Sequence, residues 1–189
     1  MHRRTTRLLA PLAAVGLMAA LAACGDSKTD DAKASDSASP SASTPASAAA
    51  MTDGTVDGIT VKGDVGAKPT VTWGDQGVTA TDPVRQVVVT GEGATVEDKQ
   101  KVFVHLWVGN GTTKEESYSS YGQAPQVIAV DPTQTLAILS DAIVGQKVGS
   151  RIVVAQSAVG AFGDPTGNAG LKLGKDDTYV RRATLSAVL

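Results

Sequence analysis

Few side chains in this sequence could act as a nucleophile, a general acid or a metal ligand. The 189 residues contain one cysteine, Cys24, and two histidines, of which only His105 lies beyond the N-terminal segment. No second catalytic motif accompanies His105, so we expect it to be a structural, hydrogen-bonded residue of a strand. The acidic pairs Asp30-Asp31 and Asp176-Asp177 are typical of solvated turns rather than of a metal site. We therefore expect no metal ion and no cofactor.

The segment around Cys24 carries a more specific signal. Three arginines near the N-terminus precede an apolar stretch from Leu8 to Leu21, which is typical of a signal peptide over residues 1–23. Leu21-Ala22-Ala23-Cys24 resembles the lipobox of bacterial lipoproteins. This resemblance implies that Cys24 carries fatty acyl chains such as palmitate, and two chains suffice for stable anchoring. We expect the protein at the extracytoplasmic face of the cell membrane; the alternative is an ordinary secretory signal with a chance cysteine.

Composition divides the rest of the chain into a tether and a domain. Residues 24–55 are rich in Ser, Ala, Asp and Pro and show no apolar periodicity. Such a segment cannot bury enough surface to offset its chain entropy, so we expect a disordered tether. Residues 56–189 are long enough to fold around one core. The net charge of −2 argues against nucleic acid as a partner.

Short runs of β-branched and aromatic residues predict a sheet in the domain. Alternate residues from Lys101 to Val108 are apolar and share one face of the predicted strand. The other face is largely apolar as well, which indicates a central strand. Gly109-Asn110-Gly111 then predicts a turn. The predicted strands are Ile59–Val61, Thr70–Trp73, 86–90, 101–108, 151–154 and, less clearly, 178–189.

One helix is predicted after the sheet's central strand. Asp131 can cap its N-terminus, Pro132 suits the first helical position, and Gln134 can complete a capping box. Gly145 suits the C-terminal cap. An apolar stripe follows the helical period: Leu136, Leu139 and Ile143. Together these elements predict an α+β domain, an antiparallel curved sheet with one short helix packed on it.

From Gln86 onward the order of motifs resembles the FKBP family of peptidyl-prolyl isomerases. Each motif is short, and the evidence is that all of them occur in the family's order and spacing. With the residues that precede them, they cover nearly all of the predicted domain. The motifs are Gly91-Glu92-Gly93, Val102-Phe103-Val104-His105, Ser119-Ser120, Pro125, Val148-Gly149-Ser150-Arg151 and Ala161-Phe162-Gly163.

This resemblance implies a half-barrel sheet wrapped round the helix, with an active cup between the helix and the concave face of the sheet. The implied partners are proline-containing or unfolded exported polypeptides, and the chemistry needs no cofactor. The residues implied to line the cup and act in catalysis are Tyr118, Leu136, Leu139 and Phe162. Those implied to contact substrate are Leu106, Thr135 and Thr166.

The sequence departs from the family pattern within the cup itself. Ser117-Tyr118 replaces the family's Phe-Asp pair, and Leu139 replaces the tryptophan at the floor. The last strand, which normally carries an apolar aromatic residue, here contains Arg181 and Arg182, and two arginines would disturb a buried strand unless it is shifted or bulged. Three functions therefore stay open: a tethered isomerase, a non-catalytic FKBP-like protein that binds unfolded chains or an envelope partner, and an envelope adhesin or scaffold without an apolar cup.

Overall fold

A computed structural model describes residues 50–189. The predicted signal peptide, Cys24 and most of the predicted tether lie outside the described residues. Within residues 50–189, no helix is long and apolar enough to cross a membrane.

The described residues form one curved sheet with helices packed on it. The sheet runs in the order β1, β4, β8, β11, β5, β6, and β7 pairs with the first half of β5. All its pairings are antiparallel except β1 with β4, which is parallel. The strands are β1 Thr52–Asp53, β2 Ile59–Lys62, β3 Thr70–Trp73, β4 Val84–Val89, β5 Lys101–Asn110, β6 Glu115–Ser119, β7 Gln126–Ala129, β8 Arg151–Ser157, β9 Gly167–Asn168, β10 Leu173–Gly174 and β11 Thr178–Val188. The helices are α1 Ala137–Ile143, α2 Ala158–Phe162 and one turn of 3-10 helix, Ala169–Leu171.

The predicted fold class is confirmed, and most predicted strands lie within a residue or two of the observed ones. The prediction did not include β6, β7, β9, β10 or the 3-10 turn, and it missed two further short segments. Thr52–Asp53, which the sequence analysis assigned to the tether, forms β1 beside Val84 and Arg85. The second is α2, whose first turn is capped by the hydroxyl of Ser157, which accepts the Gly160 N–H.

Strand β5 is central and is covered on both faces, as its double apolar pattern predicts. On the side that faces α1, which we call the helix face, alternate residues of β5 are 0–4% exposed: Val102, Val104, Leu106 and Val108. On the opposite side, which we call the hairpin face, Trp107 packs beneath the two-stranded β2–β3 hairpin. The Trp73 ring lies 5.9 Å from the Trp107 ring. Gly109 leaves room for this pair, because a Cβ there would overlap the Trp107 ring.

The start of the predicted helix is wrong by several residues. Asp131 does not cap α1; its carboxylate accepts hydrogen bonds from the backbone and hydroxyl of Thr133 and from the amide of Gln134. These bonds close a turn, and α1 begins only at Ala137, after Leu136. The carboxylate of an aspartate that precedes proline can accept hydrogen bonds from the next few residues instead of capping a helix. Here the chain adopts that local turn.

Helix α1 ends where the sequence predicts, next to Gly145. Val144 is the C-cap and Gly145 follows it with a φ of 77°, a left-handed conformation that glycine adopts without strain. The guanidinium of Arg85 donates to the carbonyl oxygens of Asp141 and Ala142, at 3.1 and 3.3 Å. A cation at this end of a helix is favourable because the last carbonyls are unsatisfied. These contacts hold the helix against β4.

The two arginines of β11 are accommodated without a shift or bulge around them. Residues 179–184 pair in continuous register with both β5 and β8, and the irregularity lies after Leu185. Because successive side chains of a strand alternate, Arg181 lies on the helix face and Arg182 on the hairpin face. The expectation that the pair would displace the strand is therefore wrong.

Candidate functional site

The residues that the sequence implies for the site lie where α1 and α2 pack on the helix face of the sheet. Register places three side chains in one row across that face: Tyr118 of β6, Val108 of β5 and Arg181 of β11. Leu139 of α1 belongs to the core that covers this row, and Phe162, the last residue of α2, packs against the same core. Short elements on a paired sheet therefore bring the predicted residues together.

Leu139 forms the floor of this region, while its neighbours form the rim. Leu139 is 2% exposed, so a ligand could reach little of it. Tyr118, Leu136 and Phe162 are each half-buried and pack against the core from its edge. The surface that a ligand could contact is therefore made of two aromatic side chains and one leucine.

Phe162 is held by a second aromatic residue that the sequence analysis did not assign to the site. Its ring lies 5.1 Å from that of Tyr179, edge to face at 75°, an arrangement favoured by ring quadrupoles. Tyr179 is fully buried, and its hydroxyl has no hydrogen-bond partner among the described residues. Burial raises the pKa of Tyr179 to about 12, and the nearby Arg181 opposes this in part.

Arg181, which the sequence analysis treated only as a disturbance of the last strand, also lies beside the ring of Tyr179. It is 9% exposed, and its guanidinium carbon lies 5.2 Å from the centre of the Tyr179 ring. This contact is of the cation–π type. The sequence contains the signal for its position, because strand alternation from Tyr179 places Arg181 on the same face. The last strand thus supplies both an aromatic ring and a cation to the helix face.

At the rim, hydrogen bonds fix the side chain of Tyr118. Its hydroxyl accepts a hydrogen bond from the Gln126 amide at 2.7 Å, which links β6 to β7. Tyr118 stands in place of the aspartate of the family motif and Gln126 in place of an aromatic residue.

The residues implied to contact substrate occupy three different environments. Leu106 is 4% exposed and belongs to the core, where its amide donates to the hydroxyl of Ser120. Thr135 is half-buried and precedes α1. Thr166 is exposed in the loop after α2, where its amide and hydroxyl donate to Asp164. Of the three, Thr135 and Thr166 are available at the surface.

Two turns of the same sequence, Asp-Pro-Thr, flank the region. In Asp131-Pro132-Thr133 and in Asp164-Pro165-Thr166, the threonine amide donates to the aspartate carboxylate at 2.8 Å. The hydroxyl and amide of each threonine hold the pKa of the aspartate below its usual value. The ionised carboxylates therefore keep both turns closed at neutral pH.

The arrangement offers binding surface rather than acid–base or metal chemistry. In the described part of the chain, no three His, Cys, Asp or Glu side chains are placed to hold a metal ion. His105 lies on the hairpin face, where its ring stacks on Tyr121 at 5.0 Å and its Nδ1 has no hydrogen-bond partner in residues 50–189. It is therefore a packed residue of the sheet, as expected, but not the hydrogen-bonded one that was predicted.

Three cavities of very different size lie away from this region. Two of about 500 and 220 Å³ lie on the side of the β2–β3 hairpin, beside residues 55–57, and one of about 30 Å³ lies between α1 and α2. None of these three is lined by Tyr118, Leu136, Leu139 or Phe162.

Solved structures of FKBP-type peptidyl-prolyl isomerases are similar to this chain. The N-terminal domain of FKBP42 from Arabidopsis thaliana is 14% identical with a TM-score of 0.50, covering 57% of this chain and 86% of that one. FkpA from Escherichia coli is 23% identical with a TM-score of 0.48, over 60% of this chain and 52% of that one. A peptidyl-prolyl cis-trans isomerase from Pseudomonas syringae is 14% identical with a TM-score of 0.46, over 55% and 73%. No protein-family profile and no curated protein matches the sequence.

At these identities the comparison with FKBP42 establishes the fold and leaves the activity open. The described chain has an FKBP-like fold, a curved sheet wrapped round a short helix. The residues of the candidate site are this chain's own, and their roles are argued below.

The buried hydroxyl of Tyr179 gives a test of this packing through pH. Since the pKa of Tyr179 is raised from 10.0 to about 12 in the folded protein, stability is fully present below pH 10 and is lost as the pH rises through 12. We expect the wild type to lose about 1.4 kcal/mol of unfolding free energy by pH 11 relative to Tyr179→Phe. Denaturant unfolding of both proteins at several pH values measures the difference. An identical pH dependence in the two proteins would show that Tyr179 is not buried as described.

Proposed function

We propose that this chain is a membrane-tethered FKBP-type peptidyl-prolyl cis-trans isomerase that assists the folding of exported proteins. The proposal rests on one observation: α1 packs on the helix face of an FKBP-like sheet. Around this contact between α1 and the sheet, the half-buried side chains of Tyr118, Leu136 and Phe162 form an apolar rim over Leu139. We call this surface the cup.

Catalysis of this kind needs an apolar surface and no nucleophile. Amide resonance gives rotation about a peptide bond a barrier of about 18–20 kcal/mol and places negative charge on the carbonyl oxygen. Prolyl bonds consequently isomerise in tens to hundreds of seconds. An apolar cup disfavours the charge-separated planar amide more than the twisted one, so it lowers the barrier by binding the twisted state better.

The side chains of the cup can favour the twisted amide by holding the prolyl ring of the substrate. Phe162 offers its ring face or edge, and its contact with Tyr179 fixes the ring's orientation. Leu136 closes the other side at the first turn of α1. The hydroxyl of Tyr118, held by Gln126, is a polar group at the rim that can orient the substrate backbone.

A second candidate function is favoured by the buried cation. Arg181 lies within the helix face, and Leu139 is too small and too buried to serve as a broad aromatic floor. These two features make the cup less suited to an apolar prolyl ring. They favour a non-catalytic FKBP-like protein that binds unfolded chains or an envelope partner. Suppression of aggregation of an unfolded client without acceleration of prolyl isomerisation would support this candidate over the first.

The catalytic proposal is tested by removing the aromatic rim. The chain has two half-buried phenylalanines on opposite faces of the sheet, Phe162 at the cup and Phe103 on the hairpin face. We expect Phe162→Ala to lower kcat/KM for a proline peptide about tenfold, since that loss equals about 1.4 kcal/mol of transition-state binding. Phe103→Ala, the matched control, should keep the activity to within about twofold.

The readout is the isomerisation rate in a protease-free assay, with thermal unfolding confirming that both variants are folded. A wild type that does not accelerate isomerisation at micromolar concentration would reject the enzyme. Equal losses in the two variants would reject the cup as its site.

The proposed tether rests on the lipobox at Cys24. We expect Cys24→Ser to abolish incorporation of a labelled fatty acid and to move the protein out of the membrane fraction, because the thiol is the acylated atom. Ser27→Ala, three residues beyond, should keep both the label and the membrane location. Fractionation of cells that express each protein measures this. Acylation that persists in Cys24→Ser would contradict the proposed anchor.

A further inference from the structure

A second group of polar side chains lies on the hairpin face, on the side of the sheet opposite the cup. Thr184 of β11 pairs with His105 of β5 on one side and with Arg151 of β8 on the other. Arg182, two residues earlier in β11, points to the same face. We call these four residues, with Tyr121 which covers them, the arginine cluster.

Tyr121 joins the members of the cluster. Its ring stacks on that of His105, with centroids 5.0 Å apart and planes 20° apart. Its hydroxyl hydrogen-bonds to Oγ1 of Thr184 at 2.8 Å. The guanidinium carbon of Arg182 lies 5.7 Å from the centre of the same ring. The tyrosine thus holds one guanidinium and one imidazole side by side.

Three buried nitrogen atoms of the cluster lack hydrogen-bond partners within residues 50–189. Nδ1 of His105, Nε of Arg151 and Nη1 of Arg182 are all buried, and none has a partner among the described residues. Arg182 is only 2% exposed. Buried polar atoms in folded proteins are normally satisfied, and each exception requires an explanation such as an unseen ion.

The positive charge of the cluster is also uncompensated. The ion pairs within residues 50–189 are Lys68–Glu116, Arg85–Asp53 and Lys175–Asp176, and none includes Arg151 or Arg182. Burial lowers the pKa of Arg182, the nearby Tyr121 opposes this, and the charge of Arg151 adds to the lowering. Two like charges held close together on a sheet face, without a carboxylate, are stabilised by an anion placed between or beside them.

We propose that the arginine cluster binds an oxyanion of the carboxylate or phosphate class. A guanidinium presents planar, forked donors that fit the paired oxygens of such groups, and the two arginines with His105 supply donors from three strands. Arg151, His105 and Tyr121 are half-buried, so the cluster is open to solvent on their side. This site is separate from the cup, because β11 directs Arg181 and Arg182 to opposite faces, and it does not depend on isomerase activity.

The test measures anion affinity by calorimetry on the full chain in a nonionic detergent and a low-chloride buffer. Sodium phosphate and sodium acetate are titrated separately, so that the two sources of oxyanion are distinguished. We expect saturable binding of at least one, with an affinity about tenfold weaker in Arg182→Gln and in Arg151→Gln. Lys175→Gln, which removes one exposed positive charge elsewhere, should bind as the wild type does.

Binding of phosphate alone or of acetate alone supports the site and names its ligand class. Equal affinity in the wild type and Arg151→Gln overturns the proposal, and so does the lack of saturable binding of either anion. If Arg182→Gln does not fold, the half-buried Arg151 decides the outcome, because its side chain is not part of the core.

Discussion

Both faces of β5 and β11 must be covered, and the rest of the structure depends on that constraint. These strands pair with each other in the sheet. Both faces of β5 carry buried apolar residues, whereas β11 is apolar at Tyr179, Val180 and Leu185 and carries Arg181, Arg182 and Thr184 between them. Helix α1 covers one face through Ile138, Leu139 and Ile143. The β2–β3 hairpin covers the other over Trp107. A fully buried aliphatic or aromatic side chain contributes about 1.5–3 kcal/mol, so neither cover could be lost without unfolding much of the domain.

One face of the sheet is covered by a helix and the other by a hairpin, and each of them covers only part of its face. Helix α1 is only seven residues long, so it leaves the edge of its face to half-buried Tyr118 and Phe162, which form the rim of the cup. The hairpin covers the end of its face near Val180, and beyond that end the face becomes polar at Thr184. The proposed cup therefore lies at the margin of the helix cover, and the arginine cluster, with Tyr121 packed over it, lies beyond the end of the hairpin cover.

Much of this architecture could be predicted because strand signals are local. Thr70–Trp73 was predicted with its observed bounds, and the double apolar pattern of 101–108 identified the central strand. The start of α1 could not be predicted, since Asp131 can either cap a helix or close its own turn with Thr133, and both choices use the same sequence. Tertiary packing of Leu136 and Ile138 decides between them.

The site was predicted less completely than the fold, for a reason of register. Family motifs identified Leu136, Leu139 and Phe162, which the fold does bring to one core. They placed Arg181 in the last strand but did not assign Tyr179 or Arg181 to the site, because the neighbours of a strand residue depend on the register of the adjacent strands. Once β11 is aligned on β5, both residues fall beside Phe162 on the helix face.

The central claim is that the margin of the helix face holds a prolyl ring. The most direct test is a nuclear magnetic resonance titration of the isotope-labelled chain with a short peptide that has a small apolar residue before its proline. The account predicts saturable shifts of the amides of Tyr118, Leu136 and Phe162, and none with the same peptide carrying alanine in place of proline. Shifts centred on Trp73 at the hairpin, or equal responses to the two peptides, would contradict it.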